Sequence, residues 1–292
     1  MNYLIEFKLF LENEDKSLNT IKSYLDTIEK FQFWLINCYQ IYDLKIISIR
    51  EIKLYRESLL LKFSPSSVNQ KLSAIKTYYH FLKEKGEINV NPSNNIKLQK
   101  IEDNFDSQYL TRSEELSILS TAKEMGMKTY ALVLILMKAG IRVSEVSNLR
   151  VSDILLNENP TILVKNSKRQ KSRYIPISKD VVEALNSWMY ERNRSEKIYH
   201  QSSEFVFTSQ RNERLSERGI QLILKRIEQK TNIKLYPIRL RATFANNLLQ
   251  TSGIPINILS SLMGHSNVNT TLRYASPSMD DKRKYINKLS EI

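Results

Sequence analysis

The stretch Thr161-Ile-Leu-Val-Lys-Asn-Ser-Lys-Arg-Gln-Lys-Ser-Arg-Tyr-Ile-Pro-Ile177 carries two short alternating, β-branched runs, at 161–165 and 173–177, on either side of a basic turn. The pattern predicts two strands of a small antiparallel sheet. Around it the chain is poor in turn formers, with 6 Gly and 7 Pro in 292 residues. So low a content predicts a mainly α protein in which this sheet is the exception. Upstream, helices are expected near 112–125, capped by Thr111, and 127–139, stopped by Gly140. Downstream they are expected near 179–194, 215–230, 237–250, 255–262 and 279–289. An Arg just past the Gly140 stop, Arg142, is placed to open a further short helix.

Towards the N-terminus the reading is purely helical: 2–12, 20–38 after the capping candidates Ser17 and Asn19, 48–60, and a fourth from Pro65, capped by Ser64, to Gly86. Leu72, Ile75, Tyr79 and Leu82 recur at helical spacing, as the core face of a four-helix domain requires. Residues 97–106 show little periodicity and an acidic patch, and read as a linker. The expected organisation is therefore 1–96, linker 97–106, and 107–292.

Hydrophobic residues make up 41% and charged residues 26% of the chain, a composition that builds a core and excludes disordered and collagen-like classes. Cys38 is the single cysteine, which excludes an intramolecular disulfide scaffold and suits a reducing cytosol. The longest apolar run, 130–137, is too short to cross a bilayer, so a cytoplasmic protein without a membrane partner is expected.

The formal net charge of +13 is unevenly spread. Residues 1–106 hold 15 Lys+Arg against 14 Asp+Glu, leaving 29 against 17 for 107–292. A positive field of that size favours a polyanion such as nucleic acid. Within it, Lys165, Lys168, Arg169, Lys171 and Arg173 put five cations into nine residues around the expected hairpin turn. A basic hairpin can lie along a phosphate backbone, although such a run is also how a solvated loop looks.

Other chemistries lack their residues. His80, His200 and His265 are scattered, with no Cys-x-x-Cys or His-Glu-x-x-His spacing, so no metal is expected. The Gly-x-x-x-x-Gly-Lys-Ser/Thr nucleotide loop is missing, and no cofactor is implied. Metal-free phosphodiester cleavage instead needs several cations around the non-bridging oxygens, an acid for the leaving oxygen and an in-line nucleophile. Arg142, the basic hairpin, Arg241, His265 and Tyr274 supply those types. Each alone has an ordinary reading: Arg142 as a surface partner of Glu145, Arg241 as a helix-surface cation, His265 as a satisfied histidine, and Tyr274 as one of 15 tyrosines.

Their order carries the information. Ala139-Gly-Ile-Arg-Val-Ser-Glu-Val146, Lys168-Arg-Gln-Lys-Ser-Arg-Tyr-Ile-Pro-Ile177, Leu240-Arg-Ala-Thr-Phe-Ala245, and Leu262-Met-Gly-His-Ser266 with Thr270-Thr-Leu-Arg-Tyr274 together resemble the tyrosine recombinase (phage integrase) family, XerC/XerD-like members above all. The resemblance implies a helical, SAM-like N-terminal core-binding domain and an α-rich catalytic domain with a small antiparallel sheet, the DNA breaking-rejoining enzyme fold. It implies a metal-independent strand transferase that cuts and rejoins double-stranded DNA through a 3′-phosphotyrosyl intermediate, for replicon dimer resolution or for integration and excision of a mobile element. A homotetramer on two DNA sites, or assembly with a partner recombinase, goes with it.

By the same resemblance Arg142 and Arg241 clamp the scissile phosphate, Lys168 protonates the leaving 5′ oxygen, with Lys165 and Lys171 as the nearest rivals for that role, His265 hydrogen-bonds the phosphate, Tyr274 is the nucleophile and Glu145 is a supporting acid. Lys165, Arg169, Lys171, Arg173 and Arg239 are the expected DNA contacts. One departure stands out: the family's His-x-x-Arg has Ile238 at the His position, and the His that often follows the second arginine is Ala242. Isoleucine accepts no proton, so general-base help from that position is missing. A DNA-binding protein with weakened catalysis and a type IB topoisomerase-like enzyme are the two alternative readings.

Overall fold

The computed structural model describes residues 3–100, 109–165, 172–265 and 267–272. The chain divides into two compact units, 1–104 and 105–292.

The first unit is built from α1 (Tyr3–Asn13), α2 (Leu18–Tyr39), α3 (Ile49–Leu60) and α4 (Pro65–Glu84). Each boundary follows from local chemistry. Ser17 accepts the Thr20 N–H to start α2, and Ser48 and Glu51 form a capping box on α3. Ser64 accepts from Ser67 N ahead of Pro65 on α4. Side-chain oxygens satisfy helix-start N–H groups that have no partner within the helix. Val68, Leu72, Ile75, Tyr79 and Leu82 of α4 are buried at spacings of three and four, facing Ile28, Phe31 and Leu35 of α2 within the same core. The Tyr79 hydroxyl donates to the Leu44 carbonyl at 3.0 Å, which satisfies its one polar atom in the core. Past Gly86 the chain stays tied to this unit: Asn69 exchanges two hydrogen bonds with the Gln99 backbone, at 2.9 and 2.7 Å.

The second unit is organised around α6 (Met127–Lys138), whose residues Ala131–Met137 are all buried. A helix apolar on every side has to be enclosed, and α5 (Arg112–Glu124), α8 (Lys179–Asn193) and α11 (Pro237–Ser252) pack on it. The short α7 (Val143–Ser147) follows α6, and α9 (Ile198–Gln201), α10 (Glu217–Thr231), α12 (Ile256–Met263) and α13 (Asn269–Leu272) complete the described helices. The expected helix near 279–289 lies outside the described residues.

The sheet is antiparallel, in the order β1 (Ile154–Leu155), β2 (Thr161–Val164), β3 (Arg173–Pro176). Its register pairs Val164 with Arg173 and Thr161 with Pro176. The sequence predicted β2 and β3; β1 went unread because two residues show no alternation. Similarly, α9 is a single turn, too short for periodicity to register.

Gly140 turns the chain out of α6. Its φ is +59°, and a Cβ there would sit 2.2 Å from the Phe244 ring. Gly140→Ala therefore combines left-handed backbone strain with overpacking, and is expected to cost about 2 to 5 kcal/mol. Chemical denaturation of parent and variant measures this; a loss under about 1 kcal/mol would show that Phe244 simply steps aside.

Candidate active site

The site forms where α12 ends. Gly264 takes φ +63°, and its N–H and that of His265 turn back to the Ser261 and Ser260 carbonyls, at 3.0 and 3.1 Å. The next three carbonyls each receive a different arginine. Arg173 Nε donates to Leu262 O at 2.8 Å, Arg241 Nη2 donates to Met263 O, and Arg142 Nη2 donates to Gly264 O at 2.9 Å. Cations at a helix C-terminus meet its partial negative charge as well as its unpaired acceptors.

These arginines arrive from three elements distant in sequence. Arg142 is the residue before α7, where its own N–H donates to Glu145 Oε2 at 2.8 Å and its Nη1 to Oε1 at 3.1 Å. Glu145 thereby caps α7 and orients Arg142. The Arg142 side chain keeps 37% exposure, so part of it stays open to solvent. Arg241 lies on α11 and is buried; its Nη1 donates to Gly140 O, and its Nη2 lies 3.0 Å from His265 Nε2. Arg173 opens β3, and its side chain is only 9% exposed.

The His265 ring has a defined tautomer. Arginine only donates, so Nε2 is the acceptor of Arg241 and the ring proton sits on Nδ1, 2.8 Å from Thr271 Oγ1. Burial, reinforced by Arg241, Arg142 and Arg173, pushes the imidazole pKa down to about 4, against a smaller upward pull from Glu145. The ring is therefore neutral at physiological pH. Between about 6.5 and about 4 the unfolded chain binds a proton here that the folded chain refuses, so stability falls as pH drops through that window and is level above it. Denaturant midpoints for the parent and His265→Gln across that range test this. The parent should lose more stability on acidification; parallel curves would mean that the ring protonates within the fold.

Glu145 is held well by its neighbours. Burial raises its pKa, but the hydrogen bonds from Arg173, the Arg142 N–H and the charges of both arginines outweigh burial and keep it below the usual carboxylate range.

Arg142, Glu145, Arg241 and His265 thus meet at one turn. Lys168, Arg169, Lys171 and Tyr274 lie outside the described residues. Lys165 directly follows β2, 56% exposed, with Nζ 2.5 Å from Asp153 Oδ1, beside a cavity of about 620 Å³ that Glu145 and Arg214 also line. Two expected DNA contacts face inwards instead. Arg173 grips Glu145 with both Nη groups at 2.8 and 2.9 Å. Arg239 is buried, with Nη2 on both oxygens of Glu114 at 3.1 Å and on Tyr109 O at 3.3 Å. The reason is helical geometry: two residues from Arg241 on α11 is about 200° around the helix, so Arg239 points away from the turn that Arg241 faces. Ile238, three residues before Arg241, stays 67% exposed, and Ala242 is buried. Sequence reasoning gave no role to Thr271 or to the carbonyls of Gly140, Met263 and Gly264, because backbone acceptors leave no trace in side-chain identity.

Among the described residues no group of three or more His, Cys, Asp or Glu is placed to hold a metal, and no described helix is long and apolar enough to cross a membrane.

Residues 108–280 match the phage integrase family, and residues 4–86 match the phage integrase N-terminal SAM-like domain. Tyrosine recombinase XerC of Bacillus subtilis (strain 168) is 31% identical over 94% of this chain and 92% of its own length. Tyrosine recombinase XerA of Pyrococcus horikoshii is 31% identical over 98% of this chain and 92% of its own. The Tn1549 transposon integrase, solved with transposon right end DNA, superposes with a TM-score of 0.79 over 99% of this chain and 100% of that one, at 20% identity. With a family match over more than half its length, and with these arginines gathered at one turn, the chain belongs to the phage integrase family, as a tyrosine recombinase of Xer type.

Proposed function

We propose that this protein is a site-specific recombinase that cuts and rejoins duplex DNA at Arg142, Arg241 and His265, with Tyr274 as nucleophile and Lys168 as the acid. The observation that supports it is the convergence of two guanidinium groups and an imidazole on the α12 turn, 122 residues apart in sequence between Arg142 and Gly264. Carbonyl acceptors hold both arginines in place before substrate arrives, and preorganised cations are what a transition state of growing negative charge on phosphate oxygens needs.

The Tyr274 phenolic oxygen attacks phosphorus, forming the 3′-phosphotyrosyl bond. The bond to the 5′ oxygen breaks, and Lys168 supplies the proton that leaves a free 5′ hydroxyl. Rejoining reverses each step, and because the phosphoester bond is conserved, neither ATP nor metal is consumed. His265 enters as a donor only after a change of tautomer. With the proton on Nε2, that nitrogen no longer accepts from Arg241 and donates to phosphate instead, while the Thr271 hydroxyl rotates to donate to Nδ1, since that hydroxyl serves either role.

Ile238 supplies no base, so the phenol gives up its proton to solvent water without help from that position, and a cleavage rate below that of an enzyme with the full set follows. The intact cation set around the turn favours catalysis over a role in DNA binding alone. A homotetramer, or an assembly with a partner recombinase, on two duplex sites in the cytoplasm completes the reading, with residues 1–96 as the core-binding domain, 97–106 as the linker and 107–292 as the catalytic domain. Dimer resolution and mobile-element integration use this same chemistry. The test is a nicked suicide duplex, its sequence selected from a randomised pool by retention on the protein, followed by denaturing electrophoresis. A covalent protein–DNA adduct without added metal is the expected product; retention of the duplex with no adduct would favour a binding protein.

A further inference from the structure

We propose that Arg173 is a positioning residue for strand cleavage: it touches no DNA and acts by locking Glu145, and through it Arg142, to the turn that carries His265. The inference rests on the recombinase reading above. Arg173 was expected on the DNA from its place in a basic run, yet its donors all point into the protein. Nη1 and Nη2 take the two Glu145 oxygens, at 2.8 and 2.9 Å, and Nε takes Leu262 O at 2.8 Å. That arrangement uses the planar fork of arginine, with two parallel bonds to a carboxylate and a third donor at a fixed angle.

The consequence is a chain of contacts. Leu262 O belongs to the last turn of α12, three residues before His265. Glu145 holds the Arg142 backbone N–H and Nη1. Arg173 is therefore bonded, as Arg142 itself is, both to the carboxylate that aims one clamp arginine and to the turn that bears the histidine, and it joins the two from a separate element, β3. Gly264 confirms how closely it is seated, since a Cβ there would lie 2.8–3.0 Å from the Arg173 guanidinium. Without Arg173, Glu145 is a buried carboxylate with one arginine left to share, and both Arg142 and the α12 turn lose a fixed reference. A displacement of about 1 Å in a catalytic group costs on the order of 10²-fold in rate.

Lysine is the informative substitution, because it keeps the charge and loses the fork. Full-length Arg173→Lys should cleave the selected nicked duplex on the order of 10²-fold more slowly in single turnover at saturating protein. Its DNA affinity should stay within about twofold of the parent, with unchanged salt dependence, as a side chain without a phosphate contact requires. The neutral pair Arg173→Met with Glu145→Gln, which leaves no uncompensated buried charge, should cleave no more slowly than Glu145→Gln alone, because both members act in one path. Three results overturn the proposal: parent-rate cleavage by Arg173→Lys, affinity that falls in step with cleavage and with a shallower salt dependence, or losses in the pair that multiply. A parent chain that forms no adduct overturns the recombinase reading itself, and this proposal with it, so the two failures are told apart in one gel.

Discussion

Tyr274→Phe forms no covalent adduct with the suicide duplex, while its retention of that duplex stays at the parent level. The substitution removes one oxygen and leaves the ring, so only the atom that would bond phosphorus is lost. The expected effect is complete loss of adduct within the detection range of the gel, since no other side chain is proposed to take over in-line attack. Mass spectrometry of the parent adduct should place the nucleotide on the peptide that contains residue 274. An adduct in Tyr274→Phe at the parent's level would assign the nucleophile elsewhere, with Arg142 and Arg241 still describing a phosphate site.

Arg241→Lys should slow single-turnover cleavage by about 10³-fold, roughly 4 kcal/mol of transition-state stabilisation. Arg241 is buried and spans three acceptors, Gly140 O, Met263 O and His265 Nε2. A lysine ammonium is a point charge that cannot span carbonyls from two elements while also facing a phosphate. Loss of the bond to Nε2 also frees the His265 tautomer, so the variant loses orientation at two groups at once. Its affinity for DNA should fall far less than its rate, because one phosphate contact among many contributes little to binding. Cleavage within about threefold of the parent would mean that Arg241 serves only to hold α11 against the α12 turn.

The helical framework was legible residue by residue. Ser17, Ser64 and Thr111 announced helix starts, Gly86 and Gly140 announced ends, and α4 displayed its buried face at spacings of three and four. These signals are local: a cap acts within one turn, and an apolar stripe is a property of one helix. Elements too short to show a period, β1 and α9, had no such signal. Unit 1 holding the chain as far as Gln99 depends on Asn69, thirty residues away, and nothing at 97–100 discloses it.

The candidate site was legible in its parts and not in its wiring. Arg142, Glu145, Arg241 and His265 were singled out as strings in order, and the fold gathers them. Arg173 and Arg239 were placed on DNA because a cation in a basic context looks the same whether its partner is a phosphate or a buried carboxylate. Their true partners, Glu145 and Glu114, lie 28 and 125 residues away.

By itself, then, the sequence determined the helix boundaries, the two longer strands, the positive excess of the second part and the residue types for metal-free phosphodiester chemistry, because composition, caps and periodicity are written in consecutive residues. Only the tertiary structure decided which guanidinium groups face the α12 turn and which are spent inside, and which nitrogen of His265 carries the proton. Those outcomes are set by distances between elements remote in the chain, where burial and the nearest acceptor, rather than the identity of the cation, fix what it does.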